Sequence, residues 1–118
     1  MSVRVLCGNP QKLVNEIKTA IRGGTIQTWA LDRDGDFTHT PEQWTNKAWF
    51  RPVLESDKVV FKIIGQKSVR MKTGVYAAYH AHFIEMLLNH FDTLFYTAAA
   101  TAQESDGDWI GPLQAPGP

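Results

Sequence analysis

Cysteine is nearly missing from this chain: Cys7 is the only one in 118 residues. A single thiol cannot close an internal disulfide, leaves no CxxC pair for zinc or thiol exchange, and suits a reducing compartment such as the cytoplasm. An excess of either charge is lacking too. Twelve Lys and Arg balance twelve Asp and Glu, so no long-range field draws in nucleic acid or an anionic membrane, and neither is expected as a partner. Long apolar runs are also wanting. The start, MSVRVLCGNPQK, has too short a run for a signal peptide, and polar residues interrupt every later run before it could cross a bilayer. HExxH, glycine-rich phosphate loops and internal repeats do not occur, so no cofactor is expected.

What the chain does contain is core material. Apolar residues make up 43%, charged residues 20%, and thirteen side chains are aromatic; this length and composition suit one globular domain that buries roughly two-thirds of its unfolded surface. VRVLC, from Val3 to Cys7, is a β-branched run that reads as a buried strand. Asn9 and Pro10 then supply an N-cap and a first helical residue, Leu13, Val14, Ile17 and Ile21 recur at helical spacing, and Gly23-Gly24 stops the helix. TIQTWAL and FTHT read as two strands joined by a tight connection, and AWFRPVL and KVVFKIIG as a second pair joined by ESD. Pro52 places its strand at an edge or a bulge. The first strand and the one after the first helix are candidates for a parallel crossover.

From about residue 72 to about residue 103 the pattern is helical. Residues 100° apart place His80, Ile84, Leu87, Leu88, Phe91, Leu94 and Phe95 on a connected apolar surface, extended by Phe83, Met86 and His90, that spans about 200°. Glu85, Asn89, Asp92 and His82 fill the remainder. That surface is wider than one side of a sheet requires, so the first helix or a second copy of the chain must cover the rest. Residues 104–118, rich in Gly, Pro and Asp, are expected to form a flexible tail with Trp109 and Ile110 as its only bulky anchors.

The fold expected is therefore α+β: a two-layer sandwich in the order β-α-β-β-β-β-α, with a mostly antiparallel sheet and a long C-terminal helix on one face, all within residues 1–103.

Three groups of residues invite chemistry. LDRDGDFTHT, residues 31–40, alternates Asp32, Asp34 and Asp36 as a calcium loop would, but Phe37 and Gln43 stand where such a loop needs glycine and glutamate. A hairpin turn with Gly35 at positive φ accounts for it. The four histidines, His39, His80, His82 and His90, contain no i, i+4 pair, and His82 lies about 12 Å along the helix from His90; no metal site is expected. Cys7, before a helix N-terminus, and Trp29, among the strands, read first as core residues.

Without a complete catalytic constellation, the expected function is a non-catalytic binding or interaction module, a homodimer joined through Phe83, Ile84, Leu87, Leu88, Phe91 and Phe95. The alternative is a small enzyme or ligand-binding domain whose pocket, between sheet and long helix, uses Tyr79, His80, Glu85 and Trp29.

Overall fold

The computed structural model describes residues 1–112. The chain forms β1 (Ser2–Leu6), α1 (Pro10–Arg22), β2 (Trp29–Leu31), β3 (Phe37–His39), β4 (Ala48–Leu54), β5 (Lys58–Gly65), α2 (Thr73–Phe91) and β6 (Thr97–Ala100). The strands make one six-stranded sheet in the order β2-β3-β4-β5-β1-β6, with every strand pairing antiparallel. This is the α+β architecture expected, with two helices against one face of the sheet.

Local chemistry sets the first helix. Asn9 Oδ1 accepts from the Lys12 amide, Pro10 opens the helix, and Gly24 follows its end at φ +81°. Leu13, Val14 and Ile17 form its buried stripe. The Asp32–Asp36 turn is equally local: Gly35 takes φ +84°, and Asp32 Oδ1 accepts from the amides of Asp34 and Asp36.

One expectation needs refinement and another correction. β1 runs in the same direction as β2, the strand that follows α1, because four successive antiparallel pairings relate them, but it does not pair with it: β1 lies between β5 and β6, with β3, β4 and β5 between it and β2. Its Val3 and Val5, both fully buried, bury best inside the sheet, where a strand is flanked on both sides. The long helix also ends at Phe91, twelve residues earlier than expected, and Thr97–Ala100 pairs with β1 instead. Alanine is the best helix former and sustained the helical pattern on paper, but the free edge of β1 offers a ladder that overrides so weak a preference.

β5 organises the two faces. Val59, Phe61 and Ile63 are buried on the helix side, where Phe61 meets Phe83 of α2, while Val60, Lys62 and Ile64 alternate onto the opposite face. The chain then returns. Trp109 forms a parallel bridge with Ile64, its amide donates to the Ile63 carbonyl, and its carbonyl accepts from the Gly65 amide. This segment lies beside β5 past the residue where β1 begins, so it prolongs the sheet there. Asp108 fastens it, with side-chain oxygens that accept from the Met1 ammonium, Ser105 and the Ile63 amide. Both anchors in the expected tail are thus engaged: Ile110 is buried in the core, and its carbonyl accepts from the Met71 amide. The portion of that tail from residue 113 onward lies outside the described residues.

Ile110 therefore behaves as a core residue. Replacing Ile110 with Ala is expected to lower stability by about 2–4 kcal/mol, read from the midpoint of urea denaturation. A loss below about 0.5 kcal/mol would mean that the segment does not contribute to the folded core.

Candidate functional site

Helix α2 lies over the sheet with a buried underside and two different flanks. The underside is aromatic: Phe83 has ring centroids 4.7 Å from Phe61, 4.8 Å from Phe50 and 5.0 Å from Trp29. Tyr79, fully buried beside them, donates its hydroxyl to the Trp44 carbonyl. Burial pushes the Tyr79 phenol above its ordinary range, so it stays protonated and serves as a fixed donor.

On the flank towards β6, Tyr76, Ala77, His80, Ala81 and Ile84 face Ala100, Thr101 and Ala102 across a cleft of about 260 Å³. His80 is 4% exposed. Its Nδ1–H donates to the Tyr76 carbonyl one turn earlier, which fixes the tautomer and leaves Nε2 as a buried lone pair without a partner among the described residues. Burial lowers the His80 pKa, against the opposing pull of the Tyr76 and Met1 carbonyls and of Asp108.

On the flank towards β2 and β3, three of the four histidines meet. His39, from β3, and His82 and His90, from α2, line a cavity of about 230 Å³ together with Thr28, Trp29, Glu85 and Asn89. His39 Nδ1 lies 2.6 Å from the Thr28 carbonyl and His39 Nε2 lies 3.0 Å from His82 Nδ1. The Trp29 indole stacks on the His39 ring at 4.3 Å. Burial lowers the His39 pKa, the Thr28 carbonyl raises it, His82 lowers it again and Glu85 raises it.

The face of the sheet away from the helices carries a wide depression of about 940 Å³, where Trp49, Ile64 and Trp109 lie beside Arg51, Asp34, Gln66 and Lys67. The aspartate triad stands at its rim, with carboxylate oxygens within 4.8 Å of one another. Two of the three are already engaged. Asp32 holds the turn, and the buried Asp36 receives a two-pronged pair of hydrogen bonds from Arg51 at 3.1 and 2.9 Å. The turn and the ion pair thus account for Asp32 and Asp36.

Comparison with protein-family models, with curated proteins and with solved structures finds no match for this chain. What the site can do rests on its geometry. The four ligand-binding candidates are divided between the flanks: Trp29 and Glu85 line the histidine cavity, His80 lines the cleft beside β6, and Tyr79 is sealed between them. The six interface candidates divide as well. Phe83, Leu87 and Phe91 are buried within the chain's own core, Ile84 and Phe95 are half-buried, and only Leu88, at 56%, is broadly exposed. The sheet covers most of what looked like spare apolar surface, so Phe83, Leu87 and Phe91 are spent within the chain's own core. Cys7 is buried, and burial, with Asp57 nearby, outweighs the Asn9 amide and pushes its thiol up; that environment opposes a nucleophilic thiolate. The meeting of His39 and His82 was not readable from spacing along one helix, because its two halves come from different elements.

The buried imidazoles couple folding to pH. Their folded pKa values lie below the unfolded value of 6.5, so below that value the unfolded chain binds protons that the folded chain refuses. Stability is expected to be fully present above the unfolded pKa and to fall as pH drops below it towards the lowered folded values. Replacing His80 with Leu should flatten that decline and leave the share due to His39; an unchanged pH profile in urea denaturation would show that His80 titrates normally.

Proposed function

We propose that this protein is a non-catalytic interaction module that self-associates along the edge formed by β6 and the adjoining flank of α2. The observation that carries the reading is the character of that edge. β6 is the last strand of the sheet among the described residues, and its sequence, Thr97-Ala98-Ala99-Ala100, has no charge or proline. Natural edges are usually blunted by one of these devices, because an open row of amides and carbonyls templates a further strand. Thr101 donates to the Ser2 carbonyl, so the period-two alternation of an antiparallel ladder turns the amides and carbonyls of Ala98 and Ala100 outward.

The adjoining helix adds an apolar row. Ala77, Ala81, Ile84 and Leu88 follow one another at spacings of four, three and four residues, the first three beside Ala100 and Ala102. Tyr96, 81% exposed, immediately precedes the strand. A second copy related by a two-fold axis presents the same strand edge antiparallel to itself and the same row of small and branched side chains, which is what an isologous contact requires. Ile84 and Leu88 are the two sequence-derived interface residues that this arrangement employs. The buried lone thiol, Cys7, suits work in the cytoplasm. Among the described residues no helix is long and apolar enough to cross a membrane.

A second reading is supported by the buried, unpartnered Nε2 of His80 beneath the same cleft. There a small ligand with a hydrogen-bond donor would take the place of the second copy.

Light scattering across a wide concentration range tests the first reading. A dimer that survives dilution is expected. Ala98→Pro removes an outward amide without touching the β1 ladder, and Leu88→Glu charges the apolar row. Each should yield a monomer with unchanged circular dichroism. A wild-type chain that is monomeric at every concentration sinks self-association and turns attention to ligands of the His80 cleft.

A further inference from the structure

From the flank opposite the proposed interface, we infer that His39, His82 and Glu85 form a binding site for a divalent transition-metal ion, zinc in the first place. The argument begins with His39. Its ring is 4% exposed and fixed by Trp29 on one face, and its Nδ1, 2.6 Å from the Thr28 carbonyl, must carry the proton, since a carbonyl only accepts. Nε2 is therefore a lone pair aimed towards α2. A backbone carbonyl that fixes the tautomer and orientation of an imidazole is the outer support that metal-binding histidines usually have.

The second ligand is already in place. His82 Nδ1 stands 3.0 Å from His39 Nε2, while two imidazole nitrogens on one tetrahedral zinc, each about 2.0–2.1 Å from the metal, lie about 3.3 Å apart. The separation has to change by only a few tenths of an ångström, and the half-buried His82 ring has to turn so that its lone pair and that of His39 converge on the ion. Without metal, the His82 Nδ1–H donates to His39 Nε2. With metal, the His82 proton resides on its outer Nε2 and both facing lone pairs bind the ion. The tautomer shift keeps the proton count unchanged.

Glu85 supplies the third ligand once its exposed carboxylate swings in, since it does not already stand close beside the two imidazoles. It follows His82 by three residues, projects from the same side of α2, and lines the same 230 Å³ cavity from an exposed position. Two neutral imidazoles and one carboxylate make a ligand set of the kind zinc accepts, with a fourth position left for water. His82 is half-buried and the cavity opens past Glu85, Asn89 and His90, so an ion can enter without unfolding. The aspartate triad on the other side of the sheet is a poorer candidate, because Asp32 and Asp36 are occupied by the turn and by Arg51.

Calorimetric titration of chelator-washed protein with Zn²⁺, with Co²⁺ absorption reporting the coordination geometry, tests the site. Saturable uptake of one ion per chain is expected. His39 is a core residue whose loss could unfold the chain, so the half-buried His82 carries the decision. His82→Ala, shown to be folded by circular dichroism, should weaken zinc binding by roughly a hundredfold or more, and Glu85→Gln by about tenfold. Asp34→Ala should change nothing. No saturable uptake by the folded wild type, or uptake that survives His82→Ala, overturns the inference; uptake abolished by Asp34→Ala overturns it by placing the ion in the turn.

Discussion

The packing of Phe83 is the interaction on which most of the structure depends. Its ring touches Phe50, Phe61 and Trp29 from three different strands, with Phe37 6.1 Å away. Edge-on and tilted contacts of this kind satisfy the aromatic quadrupoles as well as burying area, and each contributes about 0.5–1.5 kcal/mol beyond the burial itself. Fixing this one side chain fixes the rotation of α2 about its axis. Tyr79, one turn earlier, then falls beneath the helix against the Trp44 carbonyl. His80 and His82 fall on opposite flanks because they stand about 100° to one side of Tyr79 and about 60° to the other, a separation that the 3.6-residue period imposes.

Those flanks differ in chemistry because their neighbours in the sheet differ. Towards β6 the helix meets alanines, so the cleft is largely apolar, and His80 beneath it has a nitrogen without a partner among the described residues. Towards β3 it meets His39 and the Thr28 carbonyl, so the cavity is polar and its nitrogens are aligned. One helix thus supports two readings at once: an edge suited to another copy of the chain, and an imidazole pair suited to an ion.

A second constraint is the place of β1 inside the sheet, between β5 and the edge strand. A strand that begins at Ser2 and lies between β5 and β6 brings the N-terminus into the interior of the sheet's end. There the Met1 ammonium meets the buried carboxylate of Asp108, 3.0 Å away. Pairing an ammonium with a carboxylate that also accepts from Ser105 and Ile63 keeps both charges hydrogen-bonded, which offsets the cost of taking them out of water. The same contact holds residues 105–111 against β5 and gives Ile110 its place in the core.

The local features were legible in the sequence because neighbouring residues alone determine them. The Asn9 cap, Pro10, the Gly35 turn and the alternation of β5 all follow from rules with a reach of four residues or fewer. Fold class followed as well, since the succession of periods two and 3.6 admits few layered arrangements. The end of α2 did not, because alanine's helical preference is weak and the β1 edge that overrides it lies more than ninety residues away in the chain. The candidate sites belong to the same class. Ile84 and Leu88 could be placed on a helix face, but only packing decided that Phe83 and Leu87 would be consumed beneath it. His39 and His82 are separated by 43 residues, and no periodicity relates a strand residue to a helix residue; the sheet order and the seat of Phe83 brought them within one hydrogen bond. Sequence determines what a few adjacent residues can do by themselves, whereas which distant side chains meet is settled by the one arrangement that buries the whole core.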